Sequence, residues 1–440
     1  MNKKFLKFVV PSMITFFVTG IYVGIDGFFV GRTVGDVGLG SINIAWPLVA
    51  LLSAIGTGIG MGGSINISNY LGSDQKVKAD RVLVNTLVVL LIFSIILSFF
   101  LLMCGKQMLV LMGASGQLLE MSYGYLRILA YGAGIQVFAT GVTPLLRNQD
   151  KPITAMFLMI GNFVVDTVLS GIFVMILGFG VKGAAIGTLI GQSIVLIPAL
   201  VILLKKESRI DVKHNKIDIK IFAHILKSAA PIFGLSFIPS LTILIINKQA
   251  IIYGGTTAIA AFAVISYILS IGQLLLQGVG EGSQPLISFY NGANDKPAVK
   301  QLRRWTYLIG FLISVLSVII IILLRGIIPG FFGVSSETSN LLIDTLPICA
   351  LSLPFYAFSR ITTEFFNAIK KSSYATFMVY GEALVLLPLM AIVAPLILKL
   401  NGVWWTIVMV QLFISVVGIY LRYKYKILDN INISKMDNEN

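Results

Sequence analysis

The residues of this chain that could do chemistry are polar side chains stranded in apolar surroundings. Asp26 stands in IYVGIDGFFVGR and Asp166 in GNFVVDTVLSG. Asn162 precedes Asp166 by four residues, which places both on one face of a helix. Two carboxylates with an amide and hydroxyls make an oxygen cage suited to a small hard cation such as Na+. The same carboxylates could instead share a proton, because close like charges raise the proton affinity of one of them. Plainer readings stand beside these: Asp26 as an interfacial residue near an outer loop, and Asp166 as a helix–helix hydrogen-bonding group. Further along come Lys248, Glu281, Arg360, Glu364 and Glu382. Glu364 follows Arg360 by four residues, the spacing of an intrahelical ion pair. Lys248 and Glu281 fall on neighbouring apolar segments and could neutralise each other. Each of these pairs is either structural or lines a substrate cavity.

Other chemistry is missing from the sequence. Both histidines, His214 and His224, fall in a polar linker, so no intramembrane histidine relay is expected. Cys104 and Cys349 are isolated in apolar runs and read as packing residues. There is no G-x-x-x-x-G-K-[ST] phosphate loop. The stretch GTGIGMGG (56–63) contains G-x-G-x-x-G, but it lies inside an apolar span with no strand before it, so small-residue helix packing is expected. No nucleophile–base or metal constellation is visible. No enzymatic activity and no cofactor are expected, and no metal beyond a possible Na+.

The elements that must hold these residues follow from composition. Of 440 residues, 57% are hydrophobic and only 12% charged, about half the charge of an ordinary soluble domain. So few charges cannot cover a soluble surface of this size, and disorder is excluded by the hydrophobicity. Two cysteines exclude a disulfide scaffold. The net charge of +14 suggests nucleic acid at first sight, but it is not gathered on a polar domain, and no nucleic-acid partner is expected. A polytopic all-α membrane protein remains. Apolar runs predict spans near 8–30, 42–70, 82–104, 121–145, 153–177, 183–204, 228–253, 258–290, 304–324, 341–367, 374–397 and 402–423. In lipid these must be helices, because no water is present to satisfy the backbone. Twenty-five Lys and Arg fall on one alternating set of loops and termini and five on the other, which places both termini in the cytoplasm.

The chain also repeats itself. Pro11, Gly58, Gly60, Tyr70, Gly72, Lys76, Lys151 and Ala155 fall on Pro231, Gly278, Gly280, Tyr290, Gly292, Lys296, Lys371 and Ala375 at an offset of 220. Near the end of each half the offset slips to 219, with Gly183 on Gly402. This predicts twelve helices in two six-helix lobes, residues 1–204 and 228–425. A cytoplasmic linker, 205–227, joins them, and a polar tail, 426–440, is expected to be unstructured. Six is an even number, so the repeats are parallel and related by an axis along the membrane normal, with a substrate site expected between them.

Several stretches resemble the MATE (multidrug and toxic compound extrusion) family, in its MepA- or DinF-like branch. They are GIDGFFVGRTVG, PLLRNQDKPITAMFLMIGNFVVD and GVKGAAIGT in the first half, then QGVGEGSQPLISFYNGA and TEFFNAIKKSSYA in the second. The most specific runs from Gln284-Pro285 through Tyr290 and Gly292-Ala293. The resemblance covers roughly residues 5–425. It implies a cation-coupled exporter of the multidrug/oligosaccharidyl-lipid/polysaccharide superfamily in a prokaryotic cell membrane, acting as a monomer on small amphipathic or cationic molecules. The implied coupling ion is Na+ or H+, bound by Asp26, Asn162, Asp166 and Thr188. Pro11 then matches a proline at which the first helix bends, and Tyr22 is a weaker match near the cavity. One departure is visible: Asp166 and Thr188 are about one helical turn further apart than the family pattern. A lipid-linked precursor flippase of the same superfamily, or a metabolite exporter, are the alternatives. A major facilitator carrier would show a G-x-x-x-D-R-x-G-R-R type loop, and LGSDQKVKADR does not have it.

Overall fold

The structure is a computed structural model. It describes residues 2–34, 36–148, 150–204, 217–332 and 334–437. Side chains of residues 21–28 lie outside the described residues, and those of Tyr22 and Asp26 with them. The predicted linker is likewise described only from residue 217.

All described secondary structure is helical. In the first half, α1 (Asn2–Val34), α2 (Asp36–Gly72) and α3 (Lys76–Leu111) are single long helices. They are followed by α4 (Gly116–Tyr131), α5 (Ala133–Asn148), α6 (Pro152–Gly171) and α7 (Gly180–Leu204). A π-helical turn, Ile172–Ile176, extends α6. α8 (Ile219–Gly292) is broken at Gly255, whose φ of 63° is open to glycine but strained for other residues. α9 (Lys296–Leu324), α10 (Ile328–Phe332), α11 (Ser336–Ala350), α12 (Ser352–Ala368) and α13 (Ser372–Gly381) come next. A second π-helical turn, Glu382–Leu386, leads into α14 (Leu387–Asp437), which is broken at Lys399. This last helix continues into the polar tail that composition alone left unstructured.

Nine of these segments are long and apolar enough to cross a membrane, and α4 with α5, meeting at 61°, forms a bent tenth. α1 and the reversal at Lys399 within Ser372–Tyr425 bring the crossings to the predicted twelve. Exposed apolar stripes mark the surfaces that meet lipid. On α3, Leu91, Ile95, Phe99 and Met103 follow one another at helical spacing and are all exposed. In water such a stripe would be an aggregation surface; here hydrocarbon covers it.

The duplication is written in the backbone as well as in the residues. Positive φ recurs at Asp74 (58°) and Asn294 (56°), and at Asp150 (58°) and Lys370 (61°), both at the 220 offset. Gly180 (57°) and Lys399 (51°) repeat at 219, the same slip that aligns Gly183 with Gly402. Both copies of the turn after the second helix of each half use the same bonds. Gln75 N–H donates to Tyr70 O (2.8 Å), and Asp295 N–H to Tyr290 O (3.0 Å).

The chain packs as two compact units. The first comprises Met1–Ser240 with Gln277–Arg303 and Ala368–Lys370. Its core holds Leu52, Leu83, Leu90, Leu126, Leu129 and Leu146. α2 runs through this unit, and its glycines let neighbouring helices close in, as GTGIGMGG predicts. Gly56 and Gly60 meet Val137 and Gly141 of α5, Gly62 meets Ile225 and Ala229 of α8, and Gly63 meets Thr86 of α3. At its end, α2 crosses the end of α8. Asn291 Nδ2 donates to Asn69 Oδ1 at 2.7 Å, and Ser64 Oγ to its repeat counterpart Gln284 Oε1 at 3.4 Å. A Cβ on Gly72 would collide with the Phe289 carbonyl oxygen, and one on Gly292 with that of Asn69. Beside this crossing Lys370 Nζ lies 4.3 Å from the centre of the Tyr70 ring. Burial, and then the Lys78 ammonium, hold its pKa below the ordinary lysine value.

The crossing makes a test. Gly72→Val forces backbone from backbone, where no rotamer change can relieve the clash. Thermal unfolding of the purified variant, followed by size-exclusion recovery, should show a loss of several degrees. An unchanged melting curve would contradict the crossing as described.

The second unit comprises Leu241–Leu276, Arg304–Asn367 and Lys371–Asn440. Its core gathers Phe262, Ile265, Leu269, Leu342, Leu346 and Trp404. Inside it α12 carries a run of buried polar residues, Ser359 to Glu364 with one aliphatic interruption at Ile361.

Candidate cation site

The first unit presents a polar group between α6 and α7. Asn162, Asp166 and Ser170 stand at successive turns of α6, 7%, 1% and 0% exposed. The Ser170 hydroxyl donates to Asp166 Oδ1 at 3.1 Å. Asn162 Oδ1 is buried and has no hydrogen-bond partner. Such an oxygen is costly unless something donates to it or coordinates it.

α7 faces this group with glycine. Gly183, Gly187 and Gly191 repeat every four residues, one stripe of the helix. A Cβ on Gly187 would lie 2.6 Å from Ser170 Oγ and 3.3 Å from Asp166 Oδ1. On Gly191 it would lie 2.8 Å from Asn162 Oδ1. The glycines therefore let α7 close directly onto these oxygens, where a Cβ would collide with them. Thr188 adjoins Gly187, partly buried, with its hydroxyl donating to Ala184 O at 3.1 Å. Its oxygen retains lone-pair capacity toward a cation. The extra residues between Asp166 and Thr188 are taken up by the π-helical turn and the left-handed Gly178 and Gly180, so α7 still reaches the level of Asp166.

Carboxylate, amide oxygen and hydroxyl form an oxygen-only donor set, which suits a proton or a hard cation. No group of three or more His, Cys, Asp or Glu that could hold a metal exists among the described residues. Asn162 and Asp166 are brought together as their spacing predicts. Ser170 and the glycine stripe escaped the sequence reading, although GVKGAAIGTLIG displays the stripe openly. α1 packs on α6, where a Cβ on Gly171 would lie 3.5 Å from the Phe29 ring, but Asp26 and Tyr22 fall outside the described side chains. Pro11 is buried in α1, and its carbonyl accepts from Thr15 Oγ1 at 2.9 Å.

The acidic and basic residues of the second half are placed differently from one another. Glu281 is paired not with Lys248, which could have neutralised it, but with Arg147. Its Oε2 accepts from Arg147 Nη1 at 3.2 Å, and its Oε1 from Gln277 Nε2 at 2.8 Å. Arg147 and Glu281 are 6% and 4% exposed, a buried pair inside the first unit. Lys248 is exposed on α8. Arg360 and Glu364 are buried at neighbouring turns of α12, 5% and 3% exposed.

Twelve helical crossings around a buried membrane carboxylate are the architecture of a membrane transporter. The family model described as MatE matches it twice, at residues 11–172 and 231–392, again 220 apart. The chain belongs to the MatE family. The multidrug export protein MepA of Staphylococcus saprophyticus is 23% identical over 437 residues, covering 99% of this chain and 96% of that protein. A solved structure described as the outward-facing conformation of a multidrug resistance MATE family transporter of the MOP superfamily matches with TM-score 0.92 and 25% identity. It covers 97% of this chain and 96% of that one. A structure of a MATE protein in the bent conformation matches at TM-score 0.90 and 25% identity, over 98% and 96% of the two chains.

Proposed function

We propose that this protein is a secondary active exporter that moves small amphipathic or cationic molecules outward in exchange for inward Na+ or H+. The observation that carries the coupling is the orphan Asn162 oxygen beside the buried Asp166, against the glycines of α7. Export of drugs is supported by the MepA relatives, which are named multidrug export proteins. Asp26 of α1 and Thr188 of α7 complete the set by their positions in the family pattern.

The mechanism follows from charge. An ionised carboxylate buried in a membrane helix favours whichever packing surrounds it with donors. A proton or Na+ removes that demand, so the two conformations change in relative free energy. α1 is the element this would bias, because it packs directly on α6 and carries Pro11, whose missing N–H weakens the helix there. Alternating access then results from occupancy of one site. Both termini lie in the cytoplasm, and the protein works as a monomer in the cell membrane.

The test is reconstitution of the full chain in liposomes with a fluorescent cationic dye inside. Inward Na+ and inward H+ gradients are imposed separately. One gradient should accelerate efflux well above the rate without a gradient, and dissipating it with the matching ionophore should abolish the gain. Equal rates under all conditions would overturn the coupled mechanism.

A further inference from the structure

The repeat offset carries the cation site into the second unit, and the residues found there are different. Asn162 maps on Glu382 at 220, and Gln192 on Gln411 at 219. Asp166 maps on Leu386. The second unit thus keeps a carboxylate, moved one turn earlier along the helix. Glu382 opens the π-helical turn Glu382–Leu386, a local geometry that recurs at functional sites.

Its surroundings form one network. Gln411 Nε2 donates to Glu382 Oε1 at 2.6 Å. The orientation of that amide is set from behind, because Ser359 Oγ donates to Gln411 Oε1 at 3.0 Å. Arg360 of α12 lies within electrostatic reach of Glu382. Its Nε is buried without a hydrogen-bond partner. Glu364 stands one turn further along α12, and Tyr380 of α13 two residues before Glu382. α14 contributes Gln411, which does not titrate. This part of the second unit thus carries two carboxylates and one guanidinium, with Glu364 four residues from Arg360 on α12, an excess of acidic groups in a membrane-embedded stretch. A second metal cation is disfavoured beside Arg360. A proton is not, and the unfilled Arg360 N–H is a place for the water that would deliver it.

We infer that the second unit holds a proton-binding site of its own at Glu382, set by Gln411 and Arg360. The proton goes from water to Oε2, since Oε1 is engaged by Gln411, and the carboxylate becomes a neutral carboxylic acid. Glu382 is partly exposed on its helix. The site is independent of the coupling site proposed for Asp166, and its test needs no transport.

Infrared difference spectra of the purified full chain in nanodiscs, taken between alkaline and acidic pH, report protonated carboxyl groups directly. Glu382→Gln should remove the signal of one carboxyl per chain, and Asp166→Asn should leave that component in place. Gln411→Leu should keep the component and move its C=O stretch to higher frequency, because Oε1 loses its hydrogen bond. The inference is overturned if Glu382→Gln leaves the spectrum as in the wild type. It is also overturned if Gln411→Leu leaves the frequency unmoved. Failure of dye efflux to respond to any gradient would sink the coupled-export reading without touching this result.

Discussion

Asp166→Asn should produce a folded protein that exports nothing in response to an ion gradient. Asparagine has the shape of aspartate, and Ser170 can donate to its Oδ1 as it does to the carboxylate. Packing against Gly187 and Gly191 is kept, because no atom is added on that side. What disappears is the charge. A neutral amide presents the same electrostatics whether or not an ion has arrived, so binding can no longer distinguish two conformations. Swinging a two-state element from one side to the other takes a differential of about 5.5 kcal/mol. Neutralising a buried carboxylate is the term of that size available here. Gradient-driven dye efflux should fall to that of protein-free liposomes, with normal expression and a melting temperature no lower than the wild type. Asn162→Leu should weaken ion affinity more mildly, since it removes one oxygen and leaves the charge. Wild-type efflux by Asp166→Asn would remove α6 from the coupling mechanism.

The second large effect is on stability. Arg147→Met should destabilise the protein by about 3–5 kcal/mol, because it leaves Glu281 buried without its cation. Glu281→Met should cost a similar amount for the mirror-image reason. The double variant should recover most of the loss, since a buried ion pair exchanged for apolar residues of like volume is often near neutral. Melting curves of the three purified variants check this, and additive losses in the double variant would contradict it. The repeat shows that the fold itself does not require the pair. Arg147 maps on Asn367 and Glu281 on Met61, so the equivalent positions carry no charge. The ion pair is an addition made once, on one side of a duplicated architecture.

Much of this protein is legible in one dimension, for a physical reason. Lipid permits only helices or closed barrels, and long continuous apolar runs fit only the former, so twelve helical spans can be read from those runs. Local chemistry along a single helix is legible too. The spacing of Asn162 and Asp166 puts both on one face before any neighbour is known. The repeat is equally visible, down to the paired turns at Asp74 and Asn294.

Relations between helices were the part that residue order could not supply. Arg147 sits near the end of α5 and reads as a topology charge; its partner lies 134 positions away. Sequence proximity offered Lys248 to Glu281, and the packing brought Arg147 there instead. The glycines of α7 stand in plain view in GVKGAAIGTLIG, yet only the fold decides that they face Asp166. The same holds for Glu382 and Gln411, on separate helices of the second unit. The sequence by itself determined how many helices cross the membrane and which carboxylates are buried with them, because those follow from transfer to lipid, a property of each segment alone. Tertiary structure decided which donors, cations and glycines surround each carboxylate. Those depend on which helix faces meet, and that choice is made by packing summed over the whole unit.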